Sequence, residues 1–135
     1  PLGDASADRP GTLILGLAGP AAAADPGFAL VFDGVDENKN TKLAAKQFWK
    51  DVKGKEVNWG GVVRDVKGDE TKAKIYVADN SRPLYDGYNI IVYTHDSQKA
   101  AKLKKGQQIR FKGMLDDFDG KKSGAILEVK EATIN

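Results

Sequence analysis

The hydrophobic pattern of the chain changes character twice along its length. An apolar stretch, Thr12-Leu13-Ile14-Leu15-Gly16-Leu17-Ala18-Gly19, is followed by Pro20 and the run Ala21 to Ala24. Residues 26–40 then read as a turn-prone leading segment. From Thr41 the apolar residues take up helical spacing, with Ala44, Phe48 and Val52 at i, i+4 and i+8 and Ala45 and Trp49 beside them. Lys42, Lys46 and Lys50 stack on another face of the same helix. The pattern predicts a helix over 41–53, capped by Asn40 or Thr41 and stopped by Gly54.

From Glu56 onward the period falls to two. A long first strand is expected over 57–66, with Gly60-Gly61 as a bulge or bend inside it. The turn 67–70 leads to a second strand over 73–77, and the loop 79–87 to a third over 88–94. Asp96 or Ser97 caps a short helix over 98–105, which Gly106 ends. A fourth strand over 107–115, a turn at Asp119-Gly120 and a fifth strand over 125–134 complete the pattern.

Three strands, a helix and two further strands are the order of an OB-fold, a five-stranded Greek-key barrel with a helix between strands three and four. The run Val57-Asn58-Trp59-Gly60-Gly61-Val62-Val63-Arg64-Asp65-Val66 resembles the first strand of such domains, where glycine lets the strand coil around the barrel. The run from Leu103 through Gly106, Ile109, Phe111 and Gly113 to Leu115 resembles their passage from helix to fourth strand. Residues 54–135 as a whole are similar to the small bacterial OB domains grouped as tRNA-anticodon-binding-like. That resemblance implies a mainly β barrel, a nucleic-acid-binding heritage and, in many members, export behind a signal peptide. Fold alone leaves function open.

Composition narrows the choice of chemistry. The 135 residues carry no Cys and a single His, His95, which excludes disulfides, thiolate catalysis and multi-histidine metal sites. No apolar run reaches the ~18 residues of a membrane-spanning helix. The net charge of +2 hides an asymmetry: residues 1–38 hold one base and six acids, net −5, and residues 39–135 hold 20 bases and 13 acids, net +7. An anionic partner belongs with the second part. The alternative is a well-solvated lysine surface.

The N-terminus is a separate matter. Pro1-Leu2-Gly3 reads as the remnant of a cleavable tag. Arg9, the apolar stretch, Pro20 and an Ala-x-Ala site ending at Ala24 have the layout of a secretory signal peptide. The expected organisation is therefore 1–24 as tag and signal, 25–53 as a helical extension and 54–135 as the OB domain, exported to the periplasm. A cytoplasmic protein with an Ala/Gly-rich tail or a packed first helix is the alternative.

OB domains bind ligands on the face of strands two and three. Period-2 arithmetic places Arg64, Lys74, Tyr76, Tyr93, Arg110 and Lys112 on the barrel exterior, and these are the expected ligand-binding residues. Rings interleaved with cations suit single-stranded nucleic acid through stacking and phosphate neutralisation. The same surface suits a peptide or polyanionic glycan, and a plain Tyr76–Tyr93 cross-strand pair is the bland alternative. Trp59 is expected in the core and Trp49 against the barrel.

Asp36-Glu37-Asn38-Lys39-Asn40 spaces oxygens like a calcium loop, but Thr41 stands where the sharp turn needs Gly and Gln47 where a bidentate Glu should close the sphere. No metal or cofactor is expected. Neither a nucleophile elbow nor a phosphate-binding glycine loop occurs. Asp116, Asp117 and Asp119 are better explained as turn formers than as the acid–base pair of a hydrolase. The sequence therefore points to a non-enzymatic binding or scaffold module of the bacterial envelope, with a sequence-tolerant single-stranded DNA or RNA binder as the alternative.

Overall fold

The structure is a computed structural model that describes residues 26–120 and 125–135. The tag and signal-like segment expected over 1–24 lies outside the described residues. The element order is α1 (Phe28–Val35), α2 (Lys42–Val52), β1 (Glu56–Gly68), β2 (Ala73–Ala78), β3 (Ile90–Thr94), α3 (Ser97–Ala101), β4 (Gln108–Asp119) and β5 (Ile126–Ile134). The five strands close into a barrel in the order β1-β2-β3-β5-β4. All neighbours are antiparallel except β3 and β5, which run parallel. With α3 between β3 and β4, this is the OB-fold.

β1 is the strand on which closure depends. Its first half, Glu56 to Val62, pairs with β4, and its second half, Val62 to Gly68, pairs with β2. One strand can serve both neighbours only if it coils. Gly61 allows this, since a Cβ there would meet the Ala78 carbonyl oxygen at 2.6 Å. A bulge follows, with Val63 opposite Val77 and Asp65 opposite Tyr76, so Arg64 is the extra residue. Up to Val63 the inward residues are odd-numbered (Val57, Trp59, Gly61, Val63). Beyond the bulge the inward position is even, with Val66 opposite Ile75.

The interior is apolar, with Val57, Val63, Ile75, Val77, Ile90, Val92, Phe111, Leu115, Leu127 and Val129 all fully buried. On β3, Ile90, Val92 and Thr94 point in, and Ile91 and Tyr93 point out. Tyr88 falls outside the strand, so β3 is shorter than its hydrophobic run.

The leading segment is not the turn-prone stretch that residues 26–40 suggest. It begins with α1, whose Phe28, Val31, Phe32 and Val35 at i, i+3, i+4 and i+7 are all buried. Asp33, Gly34 and the β-branched valines weaken its intrinsic propensity, and tertiary burial overrides it. The buried stripe of α2 is Ala45, Trp49 and Val52, with Ala44 exposed. Trp59 is in the core, as expected. It packs edge-on to Phe28 at 5.4 Å, and its Nε1 donates to the Pro26 carbonyl at 2.9 Å. Trp49 meets Phe118 of β4 at 4.9 Å, so the hairpin and the barrel share one core. The loop joining α1 and α2 is closed by its own side chains: Asn38 donates to Asp36 Oδ1, and Asn40 Nδ2 to the carbonyls of Asp33 and Asp36.

Two polar contacts pin the β2–β3 loop. Buried Asn89 accepts from the Asp79 amide and donates to the Asp79 and Pro83 carbonyls, so its whole amide is paired. Arg82 grips Asp33 of α1 through two 2.8 Å hydrogen bonds. The Arg82 hydrogen bond, helped by Lys39 at 3.0 Å, lowers the Asp33 carboxyl from an ordinary 3.8 to about 2. A carboxyl depressed on folding stabilises the fold above its unfolded value and loses that contribution as pH falls toward the folded one. Asp33 is 38% exposed, so solvent screening limits the contribution to roughly 1 kcal/mol or less. Urea unfolding of wild type and Asp33→Asn should therefore diverge above pH 4 and converge as pH falls from 4 to 2. A gap that stays constant across that window would show that the ion pair adds nothing.

Candidate functional site

The wall formed by the second half of β1 with β2 and β3 carries the aromatic and basic side chains. Cross-strand pairing sets their places: Lys67 is opposite Lys74, Lys74 opposite Tyr93, and Tyr76 between Asp65 and Ile91. Lys67 Nζ lies 5.3 Å from the Tyr76 ring centre, and Lys74 Nζ lies 5.8 Å from both the Tyr76 and Tyr93 rings. Arg64, the extra residue of the bulge, is exposed, and its guanidinium runs beside Gly87.

Two further rings come from the β2–β3 loop. Tyr85 and Tyr88 exchange backbone hydrogen bonds at 2.8 and 3.0 Å around Asp86 and Gly87. Both central residues have positive φ, 52° and 90°, which is a two-residue type I′ turn and explains the Asp-Gly pair. The turn delivers Tyr88 edge-on to Tyr76 at 4.8 Å and to Tyr85 at 6.2 Å.

Two depressions mark this wall. One, of about 290 Å³, is lined by Arg64, Asp65, Lys67, Tyr76, Asp86 and Tyr88. The other, of about 610 Å³, includes Lys67, Lys72, Lys74, Tyr93, His95 and Lys130 in its lining. Lys67 borders both, so they form one surface. A third cleft of about 420 Å³ between α3 and β1 also borders Lys67 but is lined by no aromatic ring.

The charges on this wall are unequal in availability. Most of the carboxylates are engaged within the fold. Asp65 accepts from the Val66 amide, Asp69 from Thr71 and Lys72, Glu128 from the Tyr93 hydroxyl at 3.0 Å, Asp116 pairs with Lys130 at 3.3 Å, and Glu131 pairs with His95 at 3.4 Å. Asp86 is the exception. Among the described residues the side chains of Arg64, Lys67 and Lys74 form no ion pair with a carboxylate, and Lys67 and Lys74 lie against rings. The wall therefore presents cations against aromatic faces, with carboxylates interspersed around them.

Of the six residues expected here, the structure gathers Arg64, Lys74, Tyr76 and Tyr93 on this wall. Arg110 and Lys112 stand elsewhere. Arg110 is opposite Gly60 and donates to the Asn58 carbonyl and Oδ1, while Lys112 is opposite Asn58 and 3.9 Å from the Glu56 carboxylate. Alternation tells inside from outside but not which sector of the barrel a strand occupies, and β4 borders neither β2 nor β3. Lys67 was hidden from the same arithmetic by the bulge, which moves it from the inner parity to the outer. Tyr85 and Tyr88 were signalled by the Asp86-Gly87 pair.

No protein-family model matches the chain, and no curated protein does. Among solved structures it is similar to a "putative nucleic acid-binding lipoprotein" of Klebsiella pneumoniae subsp. pneumoniae, at 15% identity and a TM-score of 0.47 over 66% of this chain and 76% of that one. Both descriptions belong to that protein.

Burial, and then the hydrogen bond to Glu128, pushes the Tyr93 phenol up to about 12, and burial raises that of Tyr88 as well. In an alkaline absorbance titration Glu128→Gln should shift the last tyrosine to ionise downward while leaving it above 10, because burial remains. An unshifted last transition would mean that Glu128 does not hold Tyr93.

Proposed function

We propose that this protein is a non-enzymatic binding or scaffold module whose ligand lies along the β2–β3 wall and carries negative charge beside flat or apolar groups. The observation that carries this reading is the alternation of Lys67, Tyr76, Lys74 and Tyr93 across three paired strands, with Arg64 and Tyr88 at one end. Lys67 and Lys74 lie against rings without an ion-pair partner among the described residues, so an anion can pair with them without breaking a salt bridge. The rings supply contact area that is indifferent to ligand sequence.

The location that fits this module is the bacterial cell envelope. Support comes from the sequence Arg9 to Ala24, with its basic residue, apolar core and Ala-x-Ala site. Mass spectrometry of the protein recovered from a periplasmic extract should give a chain beginning at Asp25. An intact N-terminus in the cytoplasmic fraction would overturn export.

A second reading, single-stranded DNA or RNA, is favoured by the ring–cation alternation itself. Stacking contributes ~1–3 kcal/mol per base, and each neutralised phosphate adds salt dependence. Fluorescence anisotropy of labelled single-stranded oligonucleotides with the full chain separates the two. If nucleic acid is the ligand, three wall cations should give a log–log salt slope of about −2, and Lys74→Ala with Tyr76→Ala should weaken binding at least tenfold. Arg110→Ala should leave it unchanged. Absence of binding at low salt removes nucleic acid and leaves an anionic peptide or glycan of the envelope as the ligand.

A further inference from the structure

We propose that α2 is a membrane-surface contact that docks the protein on anionic lipid headgroups. The face concerned includes none of the residues of the Tyr–Lys–Arg wall, so the proposal stands apart from the function above. At 3.6 residues per turn, Lys42, Lys46 and Lys50 fall within a sector of about 80°, and Lys53 continues it at the helix end. All four are exposed, and among the described residues none has an ion-pair or hydrogen-bonding partner for its ammonium group. They flank the side of the helix that buries Ala45, Trp49 and Val52 against the core, so packing holds the row toward solvent.

One turn before Lys46 on the helix surface stands Leu43, at 66% exposure the most open of the large apolar side chains described. Two thirds of this leucine is left open to solvent, although Leu is ordinarily placed inside. An apolar side chain bordered by unpaired lysines matches one kind of surface chemically: phosphate-bearing headgroups above hydrocarbon. Lysine stems lie along the interface with their ammonium groups among the phosphates, and Leu43 reaches the acyl boundary. A nucleic acid satisfies the lysines but offers Leu43 nothing. A protein partner needs a wider apolar centre than one leucine. Lipid is therefore the occupant to which the face is suited, and one short face of this kind gives weak, reversible attachment.

The test is co-sedimentation of the full chain with phosphatidylcholine vesicles made with and without phosphatidylglycerol. Any contribution of the apolar stretch 12–19 appears with both vesicle types, so the readout is the preference for the anionic ones. Each lysine near an anionic leaflet contributes roughly a fivefold factor in partitioning, so Lys46→Glu with Lys50→Glu should reduce that preference by at least about 25-fold. Leu43→Ser should reduce binding severalfold even at high salt, where the lysines are screened. These positions are exposed, and unchanged urea unfolding of the variants confirms that the fold is intact. A wild-type chain without anionic preference, or one whose preference survives the double charge reversal, overturns the proposal. So does a double variant that keeps its vesicle binding and loses affinity for single-stranded oligonucleotide, which would assign the row to nucleic acid.

Discussion

The barrel depends on one strand pairing with two neighbours in succession. β1 gives its first half to β4 and its second half to β2, and no other strand can close the cylinder between them. The coil this demands is met by Gly61, where any side chain would strike the β2 backbone, and by the bulge at Arg64. The bulge is also where fold and candidate site meet. It reverses the strand's alternation, so that Val66 enters the core while Arg64 and Lys67 both face out beside Tyr76. A device that closes the barrel thus sets the charge pattern of its outer wall.

The rest of the wall is held by a few satisfied polar groups rather than by its own contacts. Asn89 fastens the β2–β3 loop to the end of β2, and Arg82 fastens the same loop to α1. Between these anchors the Asp86-Gly87 turn joins Tyr85 and Tyr88 through two backbone hydrogen bonds. The aromatic cluster is therefore preorganised, which lowers the ordering cost that a ligand would otherwise meet.

Much of this was legible in the sequence because alternation and helical spacing are local signals. The order of strands, the helix between the third and fourth, the core position of Trp59 and the docking role of Trp49 all follow from period and residue size. What failed was non-local. α1 is held by burial of Phe28, Val31, Phe32 and Val35 against partners distant in sequence, and its Asp33 and Gly34 mimic a turn. Arg110 and Lys112 have the expected outward parity but stand on the β1–β4 side, because alternation carries no information about circumference. Lys67 was lost to a one-residue bulge, and Tyr88 to a hydrophobic run that outlasts its strand.

The central claim is that the β1–β2–β3 wall, and not the β1–β4 side, receives an anionic ligand. Amide chemical-shift mapping of the isotope-labelled chain, titrated with a short single-stranded oligonucleotide and separately with a polyanionic glycan, tests it most directly. The account predicts that whichever of them binds shifts Arg64, Lys67, Lys74, Tyr76, Tyr88 and Tyr93 together while Asn58, Arg110 and Lys112 stay still. Shifts centred on Asn58, Arg110 and Lys112, or no shifts with either polyanion at low salt, would contradict it.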